Sequence, residues 1–273
     1  MNSVNLWIGA ALLLANAVAA SAGVIQFLAT DGNRLYRGDL SGNVEPFITL
    51  TAPVQSLTRV PEGYSTAGAN AGDIIATAAD PTNGQWRVFR LDDPFGTPTL
   101  TQIGTTTFGV GSIAFAPSGI YAVNDSANPL RVSRLSAADF SVQQNLSTGV
   151  SISGGGGIAH DPAANTFYLT DTTNNRLLRW GPGGNATAIG PTGVGFSNNG
   201  LEFLNGSLYG ALRLDSAGTQ MRVGTFDTQT GAFTHSVTIT GIQGNGTGFV
   251  TIPTPSAAGA LALGTFTLRR RRA

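Results

Sequence analysis

The chain has 273 residues, 41% of them hydrophobic and only 11% charged, so it can bury a sizeable core. With no Cys, no Lys and only two His, disulfides, thiol nucleophiles, Cys-ligated zinc, Schiff-base chemistry and a P-loop lysine are excluded. The formal net charge is zero, yet four of the 15 Arg form the run Arg269 to Arg272; the remaining 11 Arg face 15 acids, and nucleic acid is not an expected partner for so mildly acidic a body. Glycine is abundant at 37 residues, and its companions are Thr, Ser, Asn and Val, a mixture that favours strands joined by tight turns.

The first element is an export signal. Residues Val4 to Ala20 are uncharged and rich in Leu, Ala and Val, and Ala20-Ser21-Ala22 fits the small-x-small pattern that signal peptidase reads. The expected signal peptide is 1–22, cut after Ala22, with Ala17-Val18-Ala19 as the competing site. A buried N-terminal helix is the alternative.

Residues 23–252 form a repeat. Four segments read strand, Asp, turn, then Arg-aliphatic-x-Arg or a close variant of it. They are Phe27 to Asp31 with Arg34 to Arg37, Ile74 to Asp80 with Arg87 to Arg90, Ile120 to Asp125 with Arg131 to Arg134, and Phe167 to Asp171 with Arg176 to Arg179. A weaker fifth copy runs Leu208 to Asp215, then Arg222 to Thr225. The leading Arg residues are 53, 44, 45 and 46 residues apart, a period that fits four-stranded propeller blades. The sequence predicts an all-β propeller of five blades; a sixth would have to hide in the long first interval.

A further strand precedes the later copies: Gly111 to Pro117, Gly157 to Pro162 and Asn199 to Phe203. It is expected to be the innermost strand, where small residues fit the crowded axis. The first copy has none ahead of it, whereas Gly246 to Pro253 is such a strand with no blade behind it. The C-terminal strand should therefore complete the first blade, and closure of this kind removes an exposed sheet edge. The stretch Gly157-Ile-Ala-His-Asp-Pro, Phe167-Tyr-Leu-Thr-Asp and Asn174-Asn-Arg resembles an NHL-type propeller repeat. The resemblance implies the architecture and no particular activity.

Candidate site residues follow from the repeat. Asp31, Asp80, Asp125 and Asp171 recur at one position, either as a ring of ligands for calcium or a sugar, or as caps on the following turn. Glu202 breaks the pattern, standing where two other copies have Ala114 and Ala159. Asn198-Asn199-Gly-Leu-Glu202 is similar to a calcium-ligand loop of propeller lactonases. His160 stands where other copies have Phe115 and Phe203; its neighbour Asp161 points to the other face of a strand and does not orient it simply. His235 falls in an alternating strand and should face solvent. Gly154 to Gly157 lacks a following helix with Lys-Ser/Thr and reads as the loop entering an inner strand, not a phosphate loop.

The last element, 253–273, is Pro253-Thr254-Pro255, an apolar run from Ser256 to Leu268, and Arg269, Arg270, Arg271 and Arg272. The run is short for a membrane span, and the Arg cluster is a stop signal that keeps this end in the cytoplasm. Pro-x-Pro, a short apolar stretch and terminal arginines resemble the PEP-CTERM sorting signal, with Thr254 in place of that family's Glu. The resemblance implies transient membrane anchoring and processing by an exosortase-type enzyme in a bacterium that makes exopolysaccharide. An ordinary membrane anchor is the alternative. The functional expectation is a non-enzymatic binding or structural protein of the cell surface, envelope or exopolysaccharide matrix, with polysaccharide or surface proteins as partners. The competing expectation is a metal-dependent propeller hydrolase or lactonase that uses Glu202 and loop Asp or Asn residues.

Overall fold

The structure, a computed structural model, describes residues 25–80, 85–124, 129–151, 156–214 and 219–252. These lie within one compact unit, Val24–Pro253. The calls on Ala20, Ala22, Asp125, Pro253, Thr254, Pro255 and Arg269 to Arg272 fall outside the described residues.

Every regular element described is a strand. The first blade holds β1 (Gln26–Thr30), β2 (Arg34–Asp39) and β3 (Val44–Thr49). The second begins at β4 (Val54–Arg59), is interrupted by the small hairpin β5 (Ser65–Thr66) and β6 (Ala69–Asn70), and continues with β7 (Ile74–Ala79), β8 (Trp86–Asp92) and β9 (Thr99–Thr106). The third is β10 (Val110–Ala116), β11 (Gly119–Asn124), β12 (Arg131–Leu135) and β13 (Val142–Ser147). The fourth is β14 (Ile158–Asp161), β15 (Thr166–Asp171), β16 (Arg176–Trp180) and β17 (Thr187–Pro191). The fifth is β18 (Asn198–Leu204), β19 (Ser207–Arg213), β20 (Gln220–Phe226) and β21 (Phe233–Thr240). The last strand, β22 (Phe249–Ile252), pairs antiparallel with β1 and gives the first blade its fourth strand. The fold is a five-bladed propeller closed by its C-terminal strand, as the repeat predicts. The long first interval contains the β5–β6 hairpin and no sixth blade.

Strand alternation builds the ring. Neighbouring residues on a strand point to opposite faces, and each face of a blade packs on the next blade. Phe27 and Ala29 thus enter a core shared with Tyr209, Ala211 and Val223 of the fifth blade, whereas Leu28 enters one shared with Leu57 and Ala76 of the second. Similar cores fill the second-to-third, third-to-fourth and fourth-to-fifth seams. The seam between the fifth and first blades is as well filled as the rest, with Phe249 fully buried in it. Full burial of a side chain such as Phe249 or Val250 contributes about 1.5–3 kcal/mol, so a four-residue strand can hold the ring shut.

Close blade approach near the axis demands small residues. A Cβ on Gly157 would collide with Asn199 and Leu201 of the next blade. Asn199 uses that proximity: its Oδ1 accepts from Gly157 N at 2.8 Å and from Thr170 Oγ1 at 2.7 Å, tying the fourth blade to the fifth.

Candidate functional site

The recurrent aspartates bond mainly to the turn and the strand that follow them. Asp171, fully buried, accepts hydrogen bonds from the backbone of Thr173 and Asn174 and pairs with Arg176 Nε at 2.7 Å. Asp80 pairs with Arg87. Asp31 accepts from Arg34 N at 3.0 Å, Tyr36 Oη at 2.8 Å and Gln243 N at 3.0 Å. The Tyr36 hydroxyl is pushed up to about 12 by burial first and by its bond to Asp31 second. Asp31 and Asp171 thus cap the turn after the second strand of their blades, where Asp satisfies exposed N–H groups, and Asp80 pairs with the strand that follows. They stand at the end of the blades where the inner strands begin. Glu202 is the fifth residue of its inner strand, toward the other end, so Asp31, Asp80 and Asp171 do not meet it.

At that other end four inner strands enclose a cavity of about 80 Å³, room for a few water molecules. Its wall includes Thr58 and Arg59 of β4, Ala114 and Phe115 of β10, Ala159 and His160 of β14, and Glu202 and Phe203 of β18. Ala114, Ala159 and Glu202 each sit opposite a Tyr on the adjoining strand, at Tyr121, Tyr168 and Tyr209. Two of these equivalent positions are Ala, which gives the third room to project a long acid toward the axis.

The Glu202 carboxylate is almost fully buried, its side chain 12% exposed. Oε2 accepts from both the backbone N–H and the hydroxyl of Thr251 on β22. Oε1 lies 3.9 Å from Arg59 Nε. One acid of the fifth blade therefore reaches both the first blade and the second. Loss of hydration on burial dominates its titration and raises it from 4.5 to about 7, although the Thr251 bonds and Arg59 act the other way. Arg59 Nε is itself buried and makes no hydrogen bond.

His160 lines the same cavity, packs on Phe167 with ring centroids 4.8 Å apart, and has Nε2 3.3 Å from Asn165 Oδ1. Burial lowers its pKa below the usual histidine value, although Asn165 and Asp161 act the other way. Asp161 turns away and caps the next turn through Ala163 N and Ala164 N. His235 is exposed on β21, as its alternating strand predicts. Gly156 and Gly157 lead directly into β14; Gly154 and Gly155 fall outside the described residues.

Sequence reasoning missed Arg59 because it missed β4. The signal was present: Ser56-Leu-Thr-Arg-Val-Pro61 has the spacing of Ser112-Ile-Ala-Phe-Ala-Pro117. An Arg at the fourth position hid the likeness to an apolar inner strand.

No protein-family description matches the chain, and no curated protein matches it by sequence. Among solved structures, a luciferin-regenerating enzyme matches with a TM-score of 0.45 and 14% identity over 80% of this chain and 76% of its own. Regucalcin from Agrobacterium tumefaciens, a calcium-binding protein, matches with a TM-score of 0.43 and 16% identity over 76% of this chain and 67% of its own. At these scores the likeness carries no argument about chemistry.

The donors around Glu202 do not fit calcium, which takes six to eight oxygen ligands. Its carboxylate faces a guanidinium and is bonded to Thr251, and the Asn199 amide oxygen is occupied by the fourth blade. Among the described residues no three His, Asp or Glu groups are gathered as metal ligands.

Proposed function

We propose that this chain is an exported β-propeller, addressed to the cell surface by a PEP-CTERM-like C-terminal segment, that acts as a non-enzymatic binding or structural protein of the envelope or exopolysaccharide matrix. The observation that carries this reading is the use made of the acids. Asp31 and Asp171 cap turns, Asp80 pairs with Arg87, and Glu202 ties the closing seam. The described residues bring no nucleophile, base and orienting group together. The two end segments supply the address, with signal peptidase and an exosortase-type enzyme as processing partners.

The test is expression of the full chain in an exopolysaccharide-producing bacterium, followed by fractionation and mass measurement. The protein is expected in the surface or matrix fraction, shortened at both ends. Unprocessed chain in the cytoplasm refutes the reading.

A hydrolytic role is the second reading, favoured by one observation: an acid titrating near 7 in a cavity has the proton affinity of a general acid or base. Turnover of a lactone or glycoside by the purified protein, abolished in Glu202→Gln, would establish it.

A further inference from the structure

The cavity presents an imbalance. Arg59 brings a permanent positive charge to its wall, and its buried Nε–H has no acceptor. The neighbouring acid spends Oε2 on Thr251 and leaves Oε1 3.9 Å from Nε, beyond hydrogen-bond range. A buried donor left unmade is costly, so the geometry calls for an acceptor from outside the chain.

We infer that this cavity is a carboxylate-binding site, in which a ligand carboxylate accepts from the Arg59 guanidinium while Glu202 keeps its bonds to Thr251. Planar guanidinium donors match a carboxylate, and Phe115 and Phe203 line the approach with apolar surface. The inference deepens the binding reading above and rests on it.

The groups facing Glu202 decide the protonation. β4 contributes Arg59, β14 contributes His160, whose pKa burial lowers, and β19 contributes Tyr209 opposite; the cavity residues of β10 and the bonded Thr251 of β22 do not titrate. An ionised Glu202 would compete for Arg59 and repel a second carboxylate at this range. Its proton affinity, already raised by burial, makes the neutral form available near neutrality. The carboxylate of a free organic acid and that of an acidic sugar share this chemistry.

Isothermal titration of the purified full-length protein tests the assignment, with acetate, galacturonate and neutral methyl galactoside as probes at pH 5.5 and 8.5. Wild type is expected to bind a carboxylate probe at pH 5.5 with uptake of about one proton at higher pH. Affinity should be about thirtyfold weaker at pH 8.5, the ratio set by a group titrating near 7. Glu202→Gln should remove the pH dependence while retaining binding, and Arg59→Gln should abolish binding, with thermal melts showing that both variants fold. Binding of both acids makes the carboxylate alone sufficient; binding of galacturonate alone identifies an acidic sugar as the source. No carboxylate binding at pH 5.5, unchanged affinity in Arg59→Gln, equal affinity at both pH values, or equal binding of methyl galactoside overturns the inference. A protein that sorts to the surface yet fails this titration loses only the ligand assignment; one that binds but stays cytoplasmic loses only the address.

Discussion

Replacing Glu202 by Gln should stabilise the protein at neutral pH and leave it unchanged in acid. In the folded chain the carboxyl titrates near 7 instead of 4.5, because burial disfavours its charged form. A raised native pKa contributes stability that is fully present below 4.5 and is lost as pH rises through 7. The difference of about 2.5 pH units corresponds to about 3 kcal/mol. Gln keeps an oxygen for Thr251 and never ionises, so the variant should escape that loss. For a domain of this size each kcal/mol moves Tm by about 2–4 °C, giving a gain of about 6–12 °C at pH 8 and no more than about 1–2 °C at pH 4.5. Calorimetric scans of both proteins across that range supply the measurement, and taking the difference cancels other titrating groups. Parallel melting profiles, or a variant less stable than wild type at pH 8, would refute the argument; they would mean that Arg59 holds Glu202 ionised.

Truncation of Phe249 to Ala should cost about 3–5 kcal/mol by urea unfolding, since this fully buried ring fills the seam where the propeller closes; an unchanged midpoint would mean that β22 is dispensable. Asp171→Ala should cost about 3 kcal/mol, because it leaves a turn uncapped and removes one partner of a buried ion pair. By contrast, Glu45→Ala, which breaks the exposed Arg37–Glu45 pair, should cost less than about 1 kcal/mol. Equal losses in these two variants would contradict the assignment of the recurrent aspartates to turn capping.

The architecture was legible wherever each blade repeats the same physical need. An Asp that ends the second strand must satisfy the N–H groups of a turn, so it recurs, and its period exposes the blade count. Closure was legible because an inner strand without a blade, at Phe249–Ile252, and a blade without an inner strand, from Gln26 to Thr49, complete one another. The site was legible only in half. Glu202 stood out because its equivalents are Ala114 and Ala159, but its partners, Arg59 and Thr251, lie 143 residues before it and 49 after it. No local pattern connects them; only the closed ring places β4, β18 and β22 around one cavity. The β5–β6 hairpin stretched the first interval and made β4 harder to find.

Ring closure also has a mechanical side. Gln26 pairs with Ile252, so the polypeptide enters and leaves the propeller at the same corner of one sheet. Tension that draws residues 25 and 253 apart loads the β1–β22 ladder from its open end, one hydrogen bond after another, instead of shearing the ladder as a whole. The first rung behind that end carries Thr251, the residue gripped by Glu202 from the fifth blade. A buried acid of the fifth blade thus holds the strand that would peel first, and under load the propeller should begin to open at this ladder.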